Sequence, residues 1–210
     1  MTTPSIDMSQ VSTVLLDIGG VLIQLHGSPF KADWLPAGET DRNVWPFWLR
    51  STAVRAFEQG HIDGNEFAQA FIDEAGLNVG AEDFIEHFMR WPARLFPGVP
   101  DMLETLARRY RLAALSNSNA LHWPMIMQRF ELESMIPDCI SSHQIGVMKP
   151  DRMAFDFLLS RLELKPEEIL FLDDYQASVD MARSIGMQAA KVTGTVGGVQ
   201  TAGLLGLLDE

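Results

Sequence analysis

An apolar run in the stretch TVLLDIGGVL, residues 13–22, ends on a single carboxylate, Asp17, with Gly19 and Gly20 close behind. Similar placements recur along the chain. The run RLAALS (111–116) delivers Ser116 and leads into Asn117, Ser118 and Asn119, EILFLDD (168–174) delivers Asp173 and Asp174, and Lys149 stands just before Pro150 and Asp151. Three carboxylates brought together repel unless they are protonated or bridged by a cation, and oxygen ligands of this kind suit Mg²⁺. A lysine and a hydroxyl, with the backbone N–H groups of a turn, suit a phosphoryl group. An aspartate can itself act as a nucleophile. Glycine lets the backbone turn tightly enough to aim a carbonyl and N–H groups at a site.

These groups act together only if the fold collects them. Short apolar runs at 12–17, 111–116, 138–142, 168–174 and 187–192 read as strands, several apolar throughout, as in a sheet covered on both faces. Between them lie amphipathic stretches at 100–110, 150–162 and 177–186 with helical spacing; the first two open on Pro-Asp, and Gly186 ends the third. Strands alternating with helices predict an α/β protein with a parallel sheet. In such sheets ligands bind beyond the carboxyl ends of the strands, which is where Asp17, Ser116, Asp173 and Asp174 fall. The interval 25–96 breaks the rhythm. It holds no strand-like run, carries Trp34, Trp45, Trp48 and Trp91, and shows helical patterns near 41–58, 63–75 and 81–90, with Asp63 or Gly64 as an N-terminal cap. A connection this long is not a plain loop. It predicts a helical insertion, or cap, over a core formed by 1–24 and 97–210.

Each functional candidate also has a structural explanation when taken alone. Asp17 could cap a turn, Ser116 and Asn117 are common turn residues, Lys149 could be a surface charge, and Asp173-Asp174 could favour a helix N-terminus. Their joint placement at strand ends is what argues for a site. His26, His61, His87, His122 and His143 show no metal-ligand spacing, and Met125, Met127 and the tryptophans of 34–48 read as packing residues. The net charge of −12 argues against sequence-independent nucleic-acid binding. The single cysteine, Cys139, fits a small core residue and a reducing, cytoplasmic setting. No apolar run is long enough to span a bilayer. The opening MTTPSIDMSQ lacks a basic segment followed by an apolar one, so no signal peptide is expected. The sequence sets no oligomeric state.

The segments LLDIGGVL, LAALSNSN, GVMKPDRMAF and ILFLDDYQASVDMARSIGM, in this order, resemble the haloacid dehalogenase superfamily, and most of all its small bacterial phosphatases that include α-glucose-1-phosphate phosphatase-like proteins. The resemblance implies a Rossmann-like core with a helical cap and hydrolysis of a small phosphorylated metabolite. It implies that Asp17 attacks phosphorus to form an aspartyl-phosphate. Ser116 and Lys149 would hold phosphoryl oxygens with backbone help from Asn117. Mg²⁺ would be held by the Asp17 carboxylate, the Gly19 carbonyl and Asp174, with Asp173 acting directly or through a water.

Two departures from the family pattern stand out. Phosphatases of the family usually carry a second Asp two residues after the nucleophile, as general acid and base, and Gly19 stands there. Ser178 stands where Asn or Asp usually supports the metal. Two further functions therefore compete with the phosphatase reading: hydrolytic dehalogenation, whose enzymes also lack the second Asp but usually lack the Asp173-Asp174 pair, and ligand binding without turnover.

Overall fold

The computed structural model describes residues 6–36 and 44–192. Parts of the expected core (1–5 and 193–210) and the first residues of the helix expected at 41–58 lie outside the described residues.

Among the described residues, five strands form one parallel sheet: β1 (Thr13–Leu16), β4 (Arg111–Ser116), β5 (Asp138–Ser141), β6 (Ile169–Asp173) and β7 (Gln188–Lys191), in the order β5-β4-β1-β6-β7. β1 is central, with Leu16 paired to Ala114 on one side and Leu172 on the other. Its four residues are fully buried because both faces are covered. Val14 and Leu16 join one core layer, under α5 (Val99–Ala107), α6 (His122–Arg129) and α7 (Leu132–Met135); Leu15 joins the other, under α9 (Arg152–Leu162) and α10 (Gln176–Ser184). A single turn, α8 (Ser142–Ile145), follows β5. The chain moves outward from β1 to β4 and β5, then returns to β6 and β7 on the other side. β1 is thus the switch point where such sheets open a crevice.

The expected strands all form. α6 and α7 fill an interval between β4 and β5 for which the sequence pattern predicts nothing.

Two expectations for 25–96 need correction. The segment begins and ends on strands: β2 (Ile23–Leu25) pairs antiparallel with β3 (Pro92–Leu95), joining Ile23 to Leu95 and Gln24 to Arg94. These strands are short and partly exposed, and their partners are some seventy residues apart, so no local periodicity announces them. The helix expected over 41–58 is also two helices, α1 (Val44–Trp48) and α2 (Thr52–Glu58). Ser51 interrupts it: its Oγ accepts from Val54 N–H at 3.1 Å and donates to Glu74 Oε2 at 2.7 Å. Glu74 accepts from Thr52 and Ala53 N–H as well, closing the start of α2. Partial burial works against the charged form of Glu74, but these bonds hold its pKa below the ordinary value.

α3 (Gly64–Ala75) opens on a capping box between Asp63 and Glu66, and α4 (Ala81–Phe88) completes the helical unit. Its interior is aromatic. Phe57 stacks on Phe67 at 4.4 Å, and Phe71, Phe84, Phe88, Trp48 and Trp91 belong to the same cluster. This is a third hydrophobic core, separate from the two that sandwich the sheet.

Candidate active site

Three adjacent strand ends meet at the centre of the sheet. Asp17 follows β1 and is fixed by its N–H donating to Leu172 O at 2.9 Å. Ser116 ends β4, and Asp173 ends β6. Lys149 reaches in from the loop before α9. Its Nζ lies 2.9 Å from Asp17 Oδ1 and 2.7 Å from Asp173 Oδ2, with all three side chains buried. The loop is held by Asn117: Asn117 Nδ2 donates to Lys149 O, and Lys149 N–H donates to Asn117 Oδ1, both at 2.8 Å. The Asn117 side chain therefore positions Lys149, so the part expected of Asn117 toward a ligand falls to its backbone. Asp173 is used on both oxygens, since Oδ1 accepts from Tyr175 N–H at 2.7 Å.

The turn after Asp17 explains its glycines. Gly20 has φ +82°, and a Cβ there would overlap Asp174 Oδ2. Glycine at 20 thus supplies a left-handed backbone and lets the Asp174 carboxylate come close. Gly19 needs neither: its φ is not positive, and a Cβ would meet nothing within 4 Å.

Asp17, Asp173 and Asp174 each offer a carboxylate oxygen within 4.8 Å of the others. Burial pushes Asp17 up to about 7, against the pull of Lys149 and with added repulsion from Asp173 and Asp174. Burial and Asp173 likewise push Asp174 up to about 6. Lys149 is held above its ordinary pKa; burial opposes its charge, but Asp17 and Asp173 outweigh that. One ammonium among three carboxylates leaves an excess of negative charge.

These groups lie in a cavity of about 670 Å³ whose opposite wall is the helical unit, including Trp45, Trp48, Arg55 and Glu58. This size suits a small molecule. Ser178, on α10, is buried and lines the same space. His61 is exposed and does not line it. His122 does, but its nitrogens are spent: Nε2 bonds Phe88 O at 2.8 Å, and Nδ1 lies 3.3 Å from Asn119 Nδ2. Burial pushes His122 down to about 4, so it is a neutral tie between helical unit and sheet layer. Cys139 packs at the core edge, with burial pushing its thiol up to about 12.

Sequence reasoning missed Glu58, which is buried on the cavity wall. A signal existed: Val54, Phe57 and Glu58 share one helix stripe at i, i+3 and i+4, so an acid sits on a face that is otherwise apolar.

A haloacid dehalogenase-like hydrolase family model matches residues 11–186. The chain belongs to that family. It is similar to a D-ribitol-5-phosphate phosphatase of Bacteroides thetaiotaomicron, at 20% identity over 85% of this chain and 90% of the relative. Among solved structures it resembles a haloacid dehalogenase family enzyme from the same organism, crystallised with magnesium and inorganic phosphate (21% identity, 88% of this chain and 95% of that one, TM-score 0.72). An L-2-haloacid dehalogenase from Xanthobacter autotrophicus, with chloropropionic acid covalently bound, shares the fold less closely (19% identity, 87% and 77% coverage, TM-score 0.63). This member of the haloacid dehalogenase family is a hydrolase of the phosphatase-like kind. Among its described residues no helix is long and apolar enough to cross a membrane.

Proposed function

We propose that this chain is a Mg²⁺-dependent phosphomonoesterase acting on a small phosphorylated metabolite, with 25–96 as the cap and 1–24 plus 97–210 as the catalytic core. The observation that carries the reading is the buried Asp17–Lys149–Asp173 cluster, with Asp174 beside it, at the sheet's switch point.

The donor set fits a divalent cation. Three carboxylates share one lysine, and burial raises the pKa of Asp17 and Asp174, a strain of charge that a cation would relieve. Asp17, Asp174 and the Gly19 carbonyl would hold it, with Asp173 beside them committed mainly to Lys149. When bound, Mg²⁺ supplies positive charge against the phosphoryl oxygens.

Asp17 is the nucleophile: its carboxylate oxygen bonds to phosphorus as the ester oxygen departs on the far side. Lys149 and the Ser116 hydroxyl hold phosphoryl oxygens, joined by the Asn117 backbone, and offset their growing charge. Asp173 keeps the Lys149 ammonium aimed at that position. Water then attacks the aspartyl-phosphate and releases phosphate. The helical unit closes the cavity against bulk water and selects the organic part of the substrate.

The test is release of inorganic phosphate and of halide from panels of phosphate esters and 2-haloacids, with Mg²⁺ and with chelator. Phosphate release that chelation abolishes and Mg²⁺ restores is the expected result. Halide release without metal would favour dehalogenation instead. Asp17→Asn should lower phosphate release by roughly 10⁴-fold or more while leaving the melting temperature near or above wild type.

A further inference from the structure

In the family pattern the residue two places beyond the nucleophile serves as acid and base, and Gly19 cannot. A departing alkoxide needs a proton, and a titratable group on the cavity wall would supply it faster than water. Most titratable side chains there are committed. Asp17 and Asp173 hold Lys149, and Asp174 lies against the Gly20 turn. Asp151 caps α9 by accepting from Met153 N–H at 2.9 Å, and His122 has a bond at each nitrogen. Among the described carboxyls of the cavity wall, Glu58 meets only the Trp48 indole N–H and takes no part in the Lys149 cluster or a helix cap.

Its placement is built rather than incidental. Glu58 is the last residue of α2, which closes in a Schellman motif: Gly60 N–H donates to Phe57 O at 3.0 Å and His61 N–H to Ala56 O at 2.8 Å. Gly60 is left-handed, with φ +72°, and so close to the core that a Cβ would overlap the His143 carbonyl. Gly64 at the start of α3 packs less tightly on Leu121, with a Cβ there 3.0 Å from that side chain. The turn that carries Glu58 is therefore seated on the sheet layer, while Ser51 and Glu74 anchor the other end of α2. Glu58 is 9% exposed and lines the cavity that Asp17 enters from the sheet.

We propose that Glu58 is the proton donor and acceptor that the reaction at Asp17 lacks at position 19. The inference rests on the phosphatase reading above. In the first half-reaction the Asp17 oxygen bonds to phosphorus, the P–O bond to the ester oxygen breaks, and the Glu58 carboxyl proton passes to that oxygen, giving a neutral alcohol. In the second, the Glu58 carboxylate takes a proton from the attacking water as the acyl-phosphate bond breaks. Glu58 ends the cycle protonated and Asp17 ends it free. Burial, helped by the charge of Asp17, pushes Glu58 up to about 7; an indole hydrogen bond from Trp48 and the charges of Lys149 and Arg55 oppose that. A carboxyl so poised can both give and take a proton near neutral pH.

The experiment compares kcat/KM of wild type and Glu58→Gln, with Mg²⁺, for an alkyl phosphate and for dinitrophenyl phosphate, whose leaving group needs no proton. The alkyl ester should lose ~10²–10⁴-fold and the activated ester far less, within about tenfold. Equal losses on both esters, or none on either, overturn the role of Glu58. If Glu58→Gln does not fold, Glu58→Asp keeps the acid and shortens its reach, and the same contrast between esters decides. Wild-type activity that vanishes in Asp17→Asn, beside an indifferent Glu58 variant, overturns this inference alone. Wild-type protein inert on every ester overturns the phosphatase reading and this one with it.

Discussion

On the sheet side of the cavity, Asp17, Ser116 and Asp173 leave the ends of neighbouring buried strands, and backbone pairing sets their spacing. On the helical side, Trp48 and Glu58 are placed by rings: Trp48 packs on Phe67, Phe71, Phe88 and Trp91, and Phe57 stacks on Phe67 beneath α2. A ladder of hydrogen bonds holds one wall and a cluster of aromatic contacts holds the other. The lesson is that Asp17, Ser116 and Asp173 are anchored where the backbone is least free. The opposite wall, Glu58 included, rests on side-chain packing, which can be altered piece by piece.

The largest break in that contrast should come from Phe67→Ala. Phe67 is fully buried at the centre of the aromatic cluster, and such truncations cost ~3–5 kcal/mol. Chemical denaturation should show the helical unit losing protection in hydrogen exchange while the sheet amides keep theirs. Uniform loss across both regions would mean that they unfold as one.

Next in size is the pair of glycines on the sheet side. Gly20→Ala forces a left-handed alanine, about 1–2 kcal/mol, and drives its Cβ into Asp174, so both the melting temperature and Mg²⁺ affinity should fall. Gly19→Asp should fold like wild type, because the site is open and φ is not positive. It should also restore part of the alkyl-phosphate turnover that Glu58→Gln loses. Circular-dichroism melts and calorimetric Mg²⁺ titration separate the two.

Glu58 gives a pH-dependent test of the helical wall. The folded protein holds its proton up to about 7, whereas the ordinary value is 4.5. Between those values the folded state binds more protons than the unfolded one, so stability falls through this group as pH rises. The full effect, at about 1.4 kcal/mol per pKa unit, is at most a few kcal/mol. Asp17 and Asp174 shift the same way, so the fall is shared. Glu58→Gln should flatten the decline in metal-free protein and melt above wild type at about pH 8. An unchanged slope would place the proton elsewhere.

The smallest effect is expected from Ser51→Ala, which removes the cap of α2 and one donor to Glu74. A loss of about 1 kcal/mol is expected, with a slight drop in alkyl-phosphate turnover as the far end of α2 loosens.

The sequence by itself determined the parallel α/β core, the existence of a helical insertion, and the candidates Asp17, Ser116, Lys149, Asp173 and Asp174. Local patterns suffice for these: apolar runs make buried strands, and a sheet of this class opens its crevice at strand ends. The family resemblance added that Gly19 stands where its phosphatases usually carry an acid. Only the tertiary structure decided the rest. It paired β2 with β3 across some seventy residues, committed the Asn117 side chain to Lys149 and both Asp173 oxygens to neighbours, and separated Gly20, which must be glycine, from Gly19, which need not be. It brought Glu58 to the wall of the cavity that Asp17 enters. Asp17 and Glu58 are forty-one positions apart and on different cores, and a periodicity spans only a few residues, so no pattern along the chain could bring these two carboxyls together.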